Sequence, residues 1–113
     1  MIDKELLLEE IYKIKENGYM VIAEGKKDKI ALNNLGILNI KILNKALFKI
    51  IEDIDDKEVV ILTDLDKKGR ELYHKLNSGL QRKGIKVNNN FRNILFRTGL
   101  SHIEGLDSFL KKD

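Results

Sequence analysis

Two short apolar runs constrain this chain most: Tyr19-Met20-Val21-Ile22-Ala23 and Glu58-Val59-Val60-Ile61-Leu62-Thr63. Neither alternates apolar with polar residues, as a strand with one wet face would. Continuous runs of this length suit strands buried on both faces, which need helices on either side. The chain supplies those helices. Leu7, Ile11 and Ile14 line one side of a helix that Asp3 can cap and Gly18 can stop. Residues 27–35 read as a second helix, ending at Gly36. Ile37 to Leu43 reads as a strand, and Asn44 as the cap of a helix carrying Ala46, Leu47, Ile50 and Ile51. Leu72, Leu76 and Leu80 recur every four residues before Gly84, and Ile85-Lys86-Val87 makes a brief strand. The segment Phe91–Phe96 is ambiguous between helix and strand. This alternation predicts an α/β fold with a mostly parallel sheet of about four strands flanked by helices.

At 113 residues the chain has room for one core, and 1–113 reads as a single domain. Pro is 0, and there is neither a Ser/Gly-rich linker nor a repeat. Cys is 0, which excludes disulfides, thiolate zinc sites and cysteine nucleophiles. With 2 His, a metal here is expected to be hard and oxygen-bound. No apolar run approaches the roughly 18 residues of a membrane span, and the acidic start MIDKELLLEE is unlike a signal peptide. The expectation is a cytoplasmic protein without membrane contact. The net charge of +3 hides an asymmetry, with residues 57–113 carrying 12 Lys/Arg against 7 Asp/Glu. A basic second half mildly favours a polyanionic partner.

In parallel sheets functional groups gather beyond the carboxyl ends of strands. Glu24 directly follows the first run, Asp64 directly follows the second, and Asp66 is two residues on. If the strands are parallel neighbours, three carboxylates converge at one edge of the sheet. Crowded like charges raise one another's pKa and persist when a cation sits among them. Mg²⁺ fits, since it takes one or two carboxylates, waters and phosphate oxygens. Gly25 and Gly69 sit where each strand turns sharply into a helix and a substrate backbone is expected to need close approach. Asp at a helix start is also a common cap. Gly25-Lys26-Lys27 is not a P-loop, which needs G-x-x-x-x-G-K-[ST].

Val21-Ile22-Ala23-Glu24-Gly25-Lys26-Lys27-Asp28, with Val60-Ile61-Leu62-Thr63-Asp64-Leu65-Asp66-Lys67-Lys68-Gly69 some forty residues later, resembles a Toprim domain. The pattern is Glu-Gly after one strand and D-x-D-x-x-G after a later one. The wording is similar to small standalone archaeal Toprim proteins and to the Toprim ribosomal-RNA maturation nuclease. The resemblance covers most of the chain, with a motif-bearing core of about 19–98, and implies a Rossmann-like sheet. It also implies Glu24 as general acid/base touching metal, Asp64 and Asp66 as the Mg²⁺-binding pair with Mn²⁺ as a substitute, and a positioning or turn role for Asp28 and Gly69. Lys68 stands where a third acid often follows D-x-D, which puts a second metal in doubt.

Tyr12, Tyr19 and Tyr73 sit in apolar segments and are expected to pack rather than attack phosphate. Lys67, Lys68 and Arg70 follow the acidic pair and are candidates for binding nucleic-acid phosphates. Arg82, Lys83 and Lys86 read as a surface face. His102, alone near the tail, is expected to be structural or exposed rather than catalytic. The function expected is Mg²⁺-dependent phosphodiester chemistry on RNA or DNA, most simply hydrolysis by a small nuclease. The rival is a non-catalytic module that binds metal and nucleic acid or docks to a larger nucleic-acid-processing complex. A homodimer would supply surface for a substrate clamp, though nothing in the sequence shows one.

Overall fold

The computed structural model describes residues 4–111, so the expected cap Asp3 lies outside the described residues. In chain order the elements are α1 (Lys4–Asn17), β1 (Met20–Ala23), α2 (Lys26–Asn34), β2 (Ile40–Ile42), α3 (Leu47–Asp53), β3 (Glu58–Leu62), α4 (Lys67–Arg82), β4 (Lys86–Val87) and α5 (Asn90–Leu95). A 3-10 turn (Ile103–Gly105) and α6 (Leu106–Lys111) follow. The strands form one parallel sheet in the order β2-β1-β3-β4. The two apolar runs are thus its central pair, with Val21 opposite Val60 and Ala23 opposite Leu62.

Alternation along these strands sets the layers. Val21, Ala23, Val60 and Leu62 pack on one face with Leu7 and Ile11 of α1, Leu32 of α2, Phe91 and Leu95 of α5, and Ile103. Ile22, Val59 and Ile61 pack on the other face with Ile50 and Ile54, and with Leu76 and Leu80 of α4. Burying each Leu or Ile contributes roughly 1.5–3 kcal/mol before ordering costs. The Leu72-Leu76-Leu80 repeat accordingly became a long helix against the sheet. Phe91, Arg92 and Leu95 share the inward side of α5, which resolves the ambiguous segment as helix.

The elements depart from expectation at three boundaries. β2 spans only Ile40–Ile42 because the residues before it are spent closing α2. Gly36, at φ +89, donates to Asn33 O and Ile37 donates to Leu32 O, the paired bonds of a glycine-terminated helix. Asn44 does not cap α3: Leu43 N still bonds Ala23 O in extended fashion, and the helix starts only after Ala46, with no side-chain cap. Tyr12 is 60% exposed on α1 rather than packed. Lys83 belongs to the fold, since its Nζ donates to the carbonyls of Ile51, Glu52 and Ile54 at the end of α3. A cation at that end satisfies orphan carbonyls and the helix dipole. Among the described residues no helix is long and apolar enough to cross a membrane.

Candidate metal centre

Parallel register brings the acids together. With Ala23 paired to Leu62, Glu24 comes level with Thr63, beside Asp64. Glu24 Oε2 accepts a 2.7 Å hydrogen bond from the Asp64 backbone N–H, joining the two strand ends. The alternation of the strands then sends the side chains apart. Glu24 lines a cleft of about 360 Å³ on the α3–α4 side, with Leu43, Lys45, Lys68 and Leu72. Asp64 turns toward the opposite layer, where its Oδ1 accepts from Ile103 N at 2.8 Å. Asp66 caps α4, its Oδ1 accepting from Gly69 N at 2.8 Å.

The resulting cluster is not the expected trio. Asp64, Asp66 and His102 each offer a ligand atom, all within 4.8 Å of one another, and Glu24 stands outside that group. His102 Nε2 lies 3.5 Å from Asp66 Oδ2. A nitrogen ligand therefore joins the oxygens, which widens the metals the donor set suits beyond Mg²⁺ toward Mn²⁺ and its neighbours. His102 is exposed, as expected, yet it reaches the acids because Leu65 N bonds Ser101 O at 2.9 Å and fixes the tail on the β3–α4 turn. The tail beyond residue 98 is thus part of the site.

A close fit of backbone to backbone holds the cluster. Gly69 is buried, and a Cβ there would stand 1.9 Å from Asp64 O. The close approach at this glycine is that of the first turn of α4 to its own loop, where a substrate backbone was expected. Thr63, also buried, donates from Oγ1 to Gly69 O at 2.7 Å. Gly25 differs: a Cβ there would meet nothing within 4 Å, so the protein itself does not require a glycine. Its N–H donates to Asp28 Oδ2 at 3.1 Å, so Asp28 braces the turn after Glu24.

Arg92 was not foreseen. It is 2% exposed, with Nη1 donating to Thr63 O at 2.6 Å and Nη2 to Asp64 O at 3.2 Å. Its guanidinium lies over the rings of Tyr73, at 4.6 Å, and Phe96, at 5.5 Å. The cation thus grips the carbonyls behind the acids and makes no hydrogen bond to the carboxylates themselves. Burial lowers its pKa from the ordinary value, opposed by Tyr73, Glu24 and Asp64.

The electrostatics follow. Burial raises the Glu24 pKa above its ordinary 4.5; the Asp64 N–H opposes this, and the charges of Asp64, Asp28 and Asp66 add to it. Asp28 is raised above 3.8 by burial and then by Asp64, with the Gly25 N–H opposing. A divalent cation fits this donor set. Among the described residues Asp64 has a second carboxylate oxygen with no protein donor, and Lys67, Lys68 and Arg70 are exposed and form no ion pair with the acids. The three cations are also divided by the helix. Lys68 lines the cleft beside Glu24, whereas Arg70 lines a groove between α4 and α5.

No protein-family model matches the chain. It is 35% identical to a UPF0292 protein of Methanocaldococcus jannaschii, over 96% of this chain and 92% of that protein. A UPF0292 protein of Pyrococcus abyssi is 38% identical, over 86% of this chain and 76% of its own length. A solved structure of a protein from Aquifex aeolicus superposes with a TM-score of 0.80 at 30% identity, covering 90% of this chain and 96% of that one.

Proposed function

The chain belongs to the UPF0292 family, and we propose that it is a divalent-metal-dependent enzyme acting on phosphodiester bonds of nucleic acid, a small Toprim-like nuclease. The observation that carries this reading is the join between Glu24 and Asp64. One hydrogen bond ties a carboxyl of raised pKa to the turn that presents Asp64 and Asp66. Asp64 and Asp66 would hold the ion, Mg²⁺ or Mn²⁺, with His102 beside them. Such an ion, when bound, supplies positive charge to a phosphoryl oxygen and lowers the pKa of water.

The protein's own groups account for the rest. Glu24 has one oxygen fixed by the Asp64 N–H, which leaves the other to face the cleft. Its raised pKa brings proton uptake and release nearer neutral pH, as a general acid/base needs. Lys45 and Lys68 line the same cleft and would meet phosphate oxygens. Arg92 keeps the Thr63–Asp64 backbone from shifting as charge changes in front of it.

The test is a cleavage assay of the wild-type protein and Asp64→Asn on a panel of RNA and DNA, with Mg²⁺ and with chelator. Cleavage that requires both the ion and Asp64 is expected. Nucleic-acid binding without cleavage on any substrate would instead assign the chain to the non-catalytic modules.

A further inference from the structure

The groove between α4 and α5 lies across α4 from the Glu24 cleft. Arg70, Tyr73, His74, Arg92, Asn93 and Phe96 line it, around about 130 Å³, room for one flat ring rather than a folded ligand. Its composition is unlike the cleft on the other side of α4, which is floored by leucines. A buried guanidinium lies over two aromatic rings, and one of them, Phe96, is 49% exposed. The other ring is fixed, because Tyr73 Oη donates to Asn89 Oδ1 at 2.7 Å. One exposed cation, Arg70, lines the groove with the exposed ring, and the described residues give it no acidic partner. A large exposed ring beside an unpaired arginine is the makings of a stacking platform with a phosphate anchor.

Resting on the function proposed above, we infer that this groove binds a base of a single-stranded nucleic acid, stacked on Phe96, with Arg70 on a flanking phosphate. Arg92 links the two places: its guanidinium lies over the Phe96 ring, and its Nη2 holds the Asp64 carbonyl. Arg70 stands one helical turn past Asp66, its N–H bonded to Asp66 O. A strand seated in the groove would therefore run over the exposed Lys67 at the start of α4 toward Lys68 and the Glu24 cleft. A duplex keeps its bases stacked on one another and offers no ring to Phe96. The groove therefore selects unpaired strands.

The experiment measures binding in chelator, so that cleavage plays no part. Labelled oligouridylate and oligothymidylate of about eight nucleotides, a site size for one small domain, are compared with a duplex of the same length by fluorescence anisotropy. Phe96→Leu keeps an apolar group over Arg92 and is expected to weaken single-strand binding about tenfold, with little effect on the duplex. Arg70→Ala is expected to flatten the salt dependence by about 0.7 of a log–log unit. Phe96→Trp restores the ring and introduces the only tryptophan, since the chain has Trp 0. Its emission should be quenched by the bound single strand. Wild-type binding of duplex at least as tight as of single strand, a Phe96→Leu variant that binds like wild type, or an unquenched Trp would each overturn the inference. Failure of the proposed activity is read separately, in the Mg²⁺-dependent cleavage assay.

Discussion

The turn after β1 and the turn after β3 use the same vocabulary, an acid closely followed by a glycine, but hold it differently. At the β3 turn, Gly69 lets a helix press on the Asp64 carbonyl, Thr63 ties that helix down, and Arg92 grips the loop from behind. At the β1 turn, Gly25 touches nothing with its missing side chain, and a single bond to Asp28 braces the loop. The first arrangement is rigid, as the proposed pair of metal ligands would need to be. The second carries Glu24, the group proposed to exchange a proton, and its rigidity comes from the Asp64 amide next door.

The largest effects should follow from breaking the rigid turn. Gly69→Ala puts a methyl group into backbone that cannot yield, and should cost about 3 kcal/mol in urea unfolding. A stability equal to wild type would mean the turn is not closely packed. Arg92→Leu should come next, at about 2 kcal/mol, because the Thr63 and Asp64 carbonyls lose their buried donor. Arg92→Lys should recover only part of this, since an ammonium lacks the fork.

Smaller effects belong to the β1 turn and are sharpest as a function of pH. A carboxyl whose folded-state pKa is raised costs stability above that pKa, and the cost disappears as the pH falls through it toward the ordinary value. Glu24→Gln keeps an acceptor for the Asp64 N–H and should therefore melt above wild type at neutral pH. The gap should close as the pH falls toward 4.5. A gap independent of pH would mean that burial does not strain this carboxylate. Gly25→Ala should change stability least, by under about 0.5 kcal/mol, so lost cleavage in that variant would report a substrate that needs the space.

The sequence displayed the rigid turn better than its surroundings. Continuous β-branched runs and four-residue leucine spacing are local signals, and they gave the mostly parallel sheet and the strand-end positions of Glu24, Asp64 and Asp66, whereas the central pairing of the two runs needed the structure. The start of β2 was obscured because Ile37, apolar like a strand residue, spends its N–H on the end of α2. His102 and Arg92 lie far along the chain from the acids, and only the packing of α5 and the tail brings them in. An arginine between Phe91 and Leu95 on one side of a helix was the available sign that Arg92 is buried. His102 offered no such sign, because its neighbour Ser101 is pinned by a backbone bond to Leu65 that no residue type encodes.

The central claim is that the metal belongs to the β3 turn and the proton to the β1 turn. Calorimetric titration of Mn²⁺ into wild type, Asp64→Asn and Glu24→Gln tests it most directly. The account predicts one ion bound by wild type, the site lost in Asp64→Asn, and the ion retained in Glu24→Gln. Binding that survives Asp64→Asn, or that disappears only with Glu24→Gln, would contradict it.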